Sequence, residues 1–473
     1  MRCFLFCLLL LCSAAGTAQK ADFAVAVDNY ANSPVVLGYY YNKQMLVKDT
    51  VMTDGRGVAR FAGTANYPEG VYVIYIPDKS YFDIILTDDQ TFNITCDTTQ
   101  NMLRNAKVTG CEALADFVDY QHFLTLKQQY YKALSEQMKQ SEGDQAAIDR
   151  LREQARQTDT EVKQELERLM SKHSDNFFSV FLRGVKDIQI PDFDVPGATA
   201  NRDSVLQAKR YYYYRSHFFD NFDLTDERLL RTQFFAAKVD KYFNDVVPQI
   251  PDTVAAEAIA LIEKTRPNKE MFKYMVSHLY NMVNESKIMG MDGALVAIAE
   301  RYYLSGEAFW ADDKFVSDLR ETIPKIKYTL IGRNAVDLKL VSPAGEWYRL
   351  SEVDARFTIL VFWEPSCGHC QKEIPKLKTE VWDKYKDKGV KIFAVYCQNE
   401  MKEWTEFIEK HNLEEWINVY DANHRSGFRT YYNINSTPQI FILDNHKDII
   451  AKKISAEQIG PFLDFMIENE QRK

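Results

Sequence analysis

The residues Thr358-Ile359-Leu360-Val361-Phe362-Trp363 run through Glu364-Pro365-Ser366 into Cys367-Gly368-His369-Cys370. No other stretch constrains the chain as strongly. A continuous segment rich in β-branched and aromatic types, ended by a turn signal, predicts a buried strand. A C-x-x-C pair where that strand gives way to a helix predicts a redox dithiol. The free amides at a helix start favour negative charge, so the first sulfur is stabilised as thiolate, the nucleophilic form. Cys370, one turn on, is within reach to close a disulfide, and a protonated His369 adds positive charge that favours the reduced form. A zinc site would need a second C-x-x-C or an H-x-x-x-H at suitable spacing, and none follows. Haem attachment would need histidine directly after the second cysteine, where the chain has Gln371. No metal and no cofactor are therefore expected.

Several further residues carry a resemblance. Phe362-Trp363 precede the cysteines, Pro375 follows Cys370 by five, Glu373-Ile374-Pro375 forms an E-x-P, and Thr437-Pro438 stands before the apolar strand Gln439-Ile440-Phe441-Ile442-Leu443. On these, residues 328–473 resemble the thioredoxin fold, and within it the TlpA-like branch. The long spacing from Cys367 to Pro438 resembles that branch's central strand–helix insertion. The resemblance implies a thiol–disulfide oxidoreductase. Cys367 and Cys370 would be catalytic, Trp363 would shield them, His369 would tune their charge, and Thr437-Pro438 would form a cis-proline loop that pairs with substrate. Two positions depart from the family. Val361 stands where a buried acid is usual, so the proton of Cys370 needs another route, and Ser366 stands where a tryptophan is usual. The tetrapeptide Cys-Gly-His-Cys resembles that of protein disulfide isomerase, at about −180 mV against about −270 mV for thioredoxin. It implies a less reducing centre, whereas the TlpA-like branch implies a reductant. A peroxiredoxin would place proline at 360 and threonine at 364, where this chain has Leu360 and Glu364.

The N-terminus predicts export. Arg2, the apolar stretch Cys3 to Leu11 and the small residues Gly16-Thr17-Ala18 form a signal peptide over 1–18, cleaved before Gln19. The apolar run is far shorter than the ~20 residues a membrane span needs. Lipid attachment at Cys12 is the weaker alternative, because Leu11 stands where a small residue is expected. The expected location is the periplasm or cell envelope. Cys3, Cys7 and Cys12 leave with the signal peptide, and Cys96, Cys111, Cys367, Cys370 and Cys397 remain. Cys96 and Cys111 could bridge in an oxidising envelope or stay as two packed thiols, and Cys397, ending an apolar strand, is expected to be buried and inert. A formal charge of −9 and a pI near 5.6 argue against nucleic acid or anionic membrane as the main partner.

At 473 residues the chain is too long for one ordinary domain. Residues 19–110 hold short strands between turn signals, among them Phe23–Val27, Val35–Tyr41, Val58–Phe61, Val71–Ile76, Tyr81–Leu86 and Thr91–Cys96, and predict a β-sandwich. Residues 111–327 predict an all-α domain. Its first two helices, Glu112–Lys139 and Gln145–Lys172, form a hairpin with Ile148, Leu151, Ala155, Val162, Leu166 and Leu169 on one stripe. The run Tyr211-Tyr212-Tyr213-Tyr214 is expected to pack between helices. These two regions resemble the uncharacterised β and helical domains that precede many exported TlpA-like modules. The fold class expected is thus all-β, then all-α, then an α/β thioredoxin fold.

The expected function is an exported thiol–disulfide oxidoreductase acting on disulfide-containing envelope proteins, as reductant or isomerase, fed by a membrane electron donor. A homodimer is compatible with the first two domains. The rival reading is an envelope scaffold whose dithiol is regulatory or vestigial.

Overall fold

The computed structural model describes residues 20–77, 80–97, 105–196 and 201–471. The expected signal peptide, with Cys3, Cys7 and Cys12, lies outside them, as does part of the loop after Pro196. The expected order of classes is found: two β-sheets, then a helical region over 112–328, then a mixed α/β sheet. The chain divides into two compact units at residues 246 and 247. The helical region is shared between them. Among the described residues no helix is long and apolar enough to cross a membrane.

The first unit begins with strands β1 (Asp22–Asp28), β2 (Pro34–Tyr41), β3 (Gln44–Met52), β4 (Val58–Ala62), β5 (Gly70–Ile76), β6 (Ser80–Leu86), β7 (Thr91–Asp97) and β8 (Lys107–Thr109). They form two four-stranded sheets, ordered β4-β1-β7-β8 and β3-β2-β5-β6. In β1 the alternation of Phe23, Val25 and Val27 with polar or small residues buries one face, as period-two patterning requires. The turn before β4 is set by Asp54, whose carboxylate accepts from the amides of Arg56 and Val58. Gly57 there sits at φ +82°, where a Cβ would lie 2.3 Å from the Val27 carbonyl, so only glycine fits. Strand β3 escapes a reading from sequence. It is exposed along most of its length and shows no buried alternation. Its hairpin with β2 turns at Asn42-Lys43, both at positive φ, where lysine hides the usual turn signature.

Helices α1 (Glu112–Gln140), α2 (Gln145–Lys172) and α3 (Phe177–Val185) follow. Asp144 caps α2 by accepting from the Ala147 amide at 3.0 Å. The predicted stripe is graded along α2: Leu166 and Leu169 are buried, while Ile148, Leu151, Ala155 and Val162 are half-buried. Leu114, Phe117 and Val118 of α1 and Phe177, Phe178 and Leu182 of α3 enter the same apolar core as the strands. These helices therefore close the β-sheets rather than forming a core of their own. Cys96 and Cys111 are buried here as free thiols. The tyrosine run corrects its expectation. It lies on α4 (Arg202–His217), which has no buried residue, and Tyr212 is 63% exposed. Its rings pack along the helix surface instead, Tyr213 on His217 and Phe193, and Tyr214 on Phe218. The unit ends after α5 (Phe235–Lys241).

The second unit begins with α6 (Pro251–Thr265), α7 (Lys269–Glu285), α8 (Asp292–Ile298) and α9 (Asp313–Tyr328). The sheet that follows comprises β9 (Lys339–Val341), β10 (Trp347–Arg349), β11 (Phe357–Trp363), β12 (Val390–Tyr396), β13 (Ile417–Tyr420), β14 (Gln439–Leu443) and β15 (Ile449–Lys452), ordered β10-β9-β13-β12-β11-β14-β15. Strands β11, β12 and β13 run parallel, and β14 is antiparallel to β11. All seven residues of β11 are buried, as expected of a central strand covered on both faces. Val361 and Trp363 join one core with Cys370 of α10 (Cys370–Lys376) and Trp404 of α11 (Met401–His411). Leu360 and Phe362 join the other, with Phe393, Tyr432 and Cys397. The chain closes with α12 (Ala456–Gln471), entered through a capping box in which the Ser455 amide donates to Gln458 Oε1 at 3.0 Å.

The helices of this unit are tied to its sheet by a buried cation. Lys452 on β15 is 3% exposed, forms an ion pair with Asp292 at the start of α8, and donates to the Thr329 carbonyl at 2.6 Å. Burial holds its pKa below the ordinary lysine value, against the raising effect of Asp292.

Candidate active site

The site forms where β11 ends. Trp363 completes the strand, the chain turns through Glu364-Pro365-Ser366, and the Cys367 amide donates back to the Glu364 carbonyl at 3.3 Å. Helical hydrogen bonding starts at once, with the Gln371 amide on the Cys367 carbonyl at 3.0 Å. The strand–turn–helix expected from sequence is what places the two sulfurs at one end of the sheet. The second wall comes from far along the chain. The bond between Thr437 and Pro438 is cis, and the Cys367 thiol donates to the Thr437 carbonyl at 3.1 Å.

The two cysteines are not equivalent. Cys367 is partly exposed, and the Cys370 amide donates to its sulfur at 3.5 Å. Burial pushes its pKa up, but hydrogen bonds from Thr437, from Cys370 and from the His369 amide outweigh that, and the thiol ends below its ordinary value. Cys370 is fully buried. Burial pushes it up to about 12, against hydrogen bonds from the Glu364 backbone and the Thr437 side chain. One sulfur is thus prepared as a nucleophile and the other is kept protonated beneath it.

The remaining predicted site residues take distinct places. Trp363 is fully buried, in the same core as Cys370, with its ring 5.0 Å from that of Phe407. His369 is exposed, and its backbone amide is the part that bonds Cys367. Glu373, of the E-x-P, accepts from the Ala456 amide at 3.0 Å and so fastens α10 to the start of α12.

Three residues near the pair, Glu364, Gln398 and Arg429, were not anticipated as part of the site. Glu364 accepts from the Thr437 hydroxyl at 3.1 Å and from the Gln398 amide at 2.6 Å. The register of β11 on β12 pairs Trp363 with Tyr396, which brings Glu364 level with Cys397 and Gln398. Cys397 is a buried thiol, pushed up to about 12 by burial. Arg429 donates to its carbonyl at 2.5 Å. The available sequence signal was a lone acidic residue directly after an otherwise apolar strand.

The asymmetry sets a labelling pattern. A lowered pKa leaves more thiolate at any given pH, so iodoacetamide should modify Cys367 along a pH curve displaced below that of free cysteine. Cys370 should stay unmodified through neutral pH, being buried and held near 12. Tandem mass spectrometry of the reduced protein distinguishes the two positions, and equal labelling would contradict the assignment.

The AhpC/TSA family model matches residues 331–452. The Thiol-disulfide oxidoreductase ResA of Halalkalibacterium halodurans is 26% identical over 25% of this chain and 65% of its own length. That of Geobacillus kaustophilus is 28% identical over 28% of this chain and 76% of its own. The chain thus spans about two thirds to three quarters of these relatives. A solved domain of a possible thiol-disulfide isomerase from Cytophaga hutchinsonii is 36% identical, covers 30% of this chain and 97% of that domain, and has a TM-score of 0.29. The matched segment contains both cysteines, the cis peptide bond and every strand of the second unit's sheet. The C-terminal part of the chain is an AhpC/TSA-family, thioredoxin-like domain related to the ResA-type thiol–disulfide oxidoreductases.

Proposed function

We propose that this chain is an exported thiol–disulfide oxidoreductase that exchanges disulfides with envelope proteins through Cys367 and Cys370. The observation that carries the reading is the asymmetry of the pair: a partly exposed Cys367 with lowered pKa above a buried Cys370 held near 12. In the reducing direction the Cys367 thiolate attacks a substrate disulfide. One S–S bond breaks, a mixed disulfide forms, and the first substrate sulfur leaves as thiolate. Cys370 then attacks Cys367, closes the intramolecular disulfide and releases the second substrate sulfur. Two electrons pass from the dithiol to the substrate, and a membrane electron donor would restore them. Export and an envelope location rest on Arg2, the apolar stretch to Leu11 and the small residues before Gln19.

Equilibration of the protein in glutathione buffers, followed by tryptophan fluorescence, tests this. A single two-electron transition abolished by Cys370→Ser is expected. A midpoint near about −270 mV assigns a reductant, and one near about −180 mV an isomerase. If no transition occurs, the enzymatic reading is wrong.

A further inference from the structure

Resolution of the mixed disulfide requires Cys370 to lose its proton, and Cys370 is fully buried. The strand beneath it offers no acid, because Val361 is itself buried in that core. The structure supplies a route from another direction. The Thr437 carbonyl accepts from the Cys367 thiol at 3.1 Å, and the Thr437 side chain lies close enough to both sulfurs to favour the thiolate of each. The same hydroxyl donates to Glu364 Oε1 at 3.1 Å, and the Gln398 amide fixes Glu364 Oε2 at 2.6 Å. One residue therefore stands between the reacting sulfurs on one side and a half-buried carboxylate on the other. The other titratable groups of this neighbourhood are engaged elsewhere or face outward. The Tyr396 hydroxyl donates to the Glu400 carbonyl and Arg429 to the Cys397 carbonyl. The Cys397 thiol points to the Val395 carbonyl, the Glu373 carboxylate binds the Ala456 amide, and His369 is exposed.

We propose that the Thr437 hydroxyl and the Glu364 carboxylate form the proton route of the resolving cysteine. As Cys370 attacks Cys367 in the mixed disulfide, its proton passes to the Thr437 oxygen while the Thr437 proton moves to Glu364. The Cys367–Cys370 bond forms, the bond from Cys367 to the substrate breaks, and the substrate sulfur leaves with the electron pair. Glu364 ends protonated and gives its proton to the departing thiolate or to solvent. Thr437 is a relay and Gln398 a positioning residue, holding the carboxylate in line. The proposal rests on the exchange reaction above and assigns the base that the strand lacks.

The test mixes the whole reduced protein with equimolar 5,5′-dithiobis(2-nitrobenzoic acid) in a stopped-flow instrument. Attack by Cys367 releases the first thionitrobenzoate and resolution by Cys370 the second, so the two steps separate in time. Glu364→Gln and Thr437→Val should each raise the ratio of first to second release rates by roughly 100-fold, the range of general acid–base catalysis. Thr437→Ser, which keeps the hydroxyl, should restore the ratio. The double variant should be no slower than the slower single variant, because the two groups act in series. In Glu364→Gln the second release should climb with pH as hydroxide replaces the carboxylate, more steeply than in the unmodified protein. An unchanged ratio in both single variants, or an equal slowing of both releases, would overturn the proposal. Absence of a second release in the unmodified protein would instead overturn the oxidoreductase reading itself.

Discussion

Cys367→Ser should reduce disulfide exchange to the rate of buffer alone, while Cys370→Ser should let the first step proceed and trap its product. The difference follows from the environments of the two sulfurs. Exchange begins with a thiolate, and Cys367 is the sulfur that is partly exposed and held below its ordinary pKa by Thr437, Cys370 and the His369 amide. A serine hydroxyl does not ionise in this range and does not attack sulfur. Cys370 is fully buried and held near 12, so it cannot start the reaction from solution. It acts only once a substrate is joined to Cys367, whose sulfur lies 3.5 Å from the Cys370 amide. Without Cys370 the mixed disulfide has no internal competitor and persists. Incubation of each variant with a disulfide-bonded protein, followed by non-reducing electrophoresis, distinguishes them. Cys370→Ser should give a covalent adduct that dithiothreitol releases, and Cys367→Ser should give none. An adduct of equal yield in Cys367→Ser would reverse the assignment of nucleophile and resolver.

Asp292→Ala should destabilise the second unit by about 3–5 kcal/mol, the cost of leaving one partner of a buried ion pair alone. Lys452 is nearly inaccessible, whereas the Asp292 side chain is 20% exposed. Loss of the carboxylate strands a cation that water cannot reach. Loss of the cation by Lys452→Met leaves a carboxylate that water can solvate in part, so that variant should lose less. The paired change Asp292→Leu with Lys452→Met should recover most of the loss, since apolar residues of similar volume replace buried ion pairs with little penalty. Urea denaturation of each variant checks the order. The pH dependence has a definite sign. The folded pKa of Lys452 lies below its unfolded value, so the unfolded chain holds the proton more readily. The contribution to stability is complete above the unfolded value of about 10.4 and is lost as pH falls through the folded value. Asp292→Ala removes the charge that raises Lys452, so the window extends to lower pH in that variant. A denaturation midpoint indifferent to Asp292→Ala would show that this contact does not hold the helices to the sheet.

Much of the C-terminal domain was legible because its signals are local. The run into Cys367 and Cys370 specifies strand, turn and helix within a few residues, and Thr437-Pro438 marks the facing loop directly before β14. The paired helices α1 and α2 were equally plain, since the periodic apolar residues of α2 act from one turn to the next. Where the signal is not local, the reading stopped short. Strand β3 takes its structure from pairing with β2, although its own residues are mostly exposed. The tyrosines on α4 resemble a core segment, yet no described residue of that helix is buried, and Tyr212 faces solvent. The first helices of the region after residue 110 serve the β-sheets, because Phe177, Phe178 and Leu182 complete that core.

The sequence by itself determined the two thiols, the strand and turn that present them, and the proline loop opposite. Only the tertiary structure decided which sulfur is buried, which loop touches the other, and that Glu364 stands in reach through Thr437. Backbone preference acts between neighbours along the chain, whereas a pKa or a proton route depends on groups brought together across it. Thr437 meets Cys367 over a separation of 70 residues, and only the packing of β14 against β11 makes them adjacent.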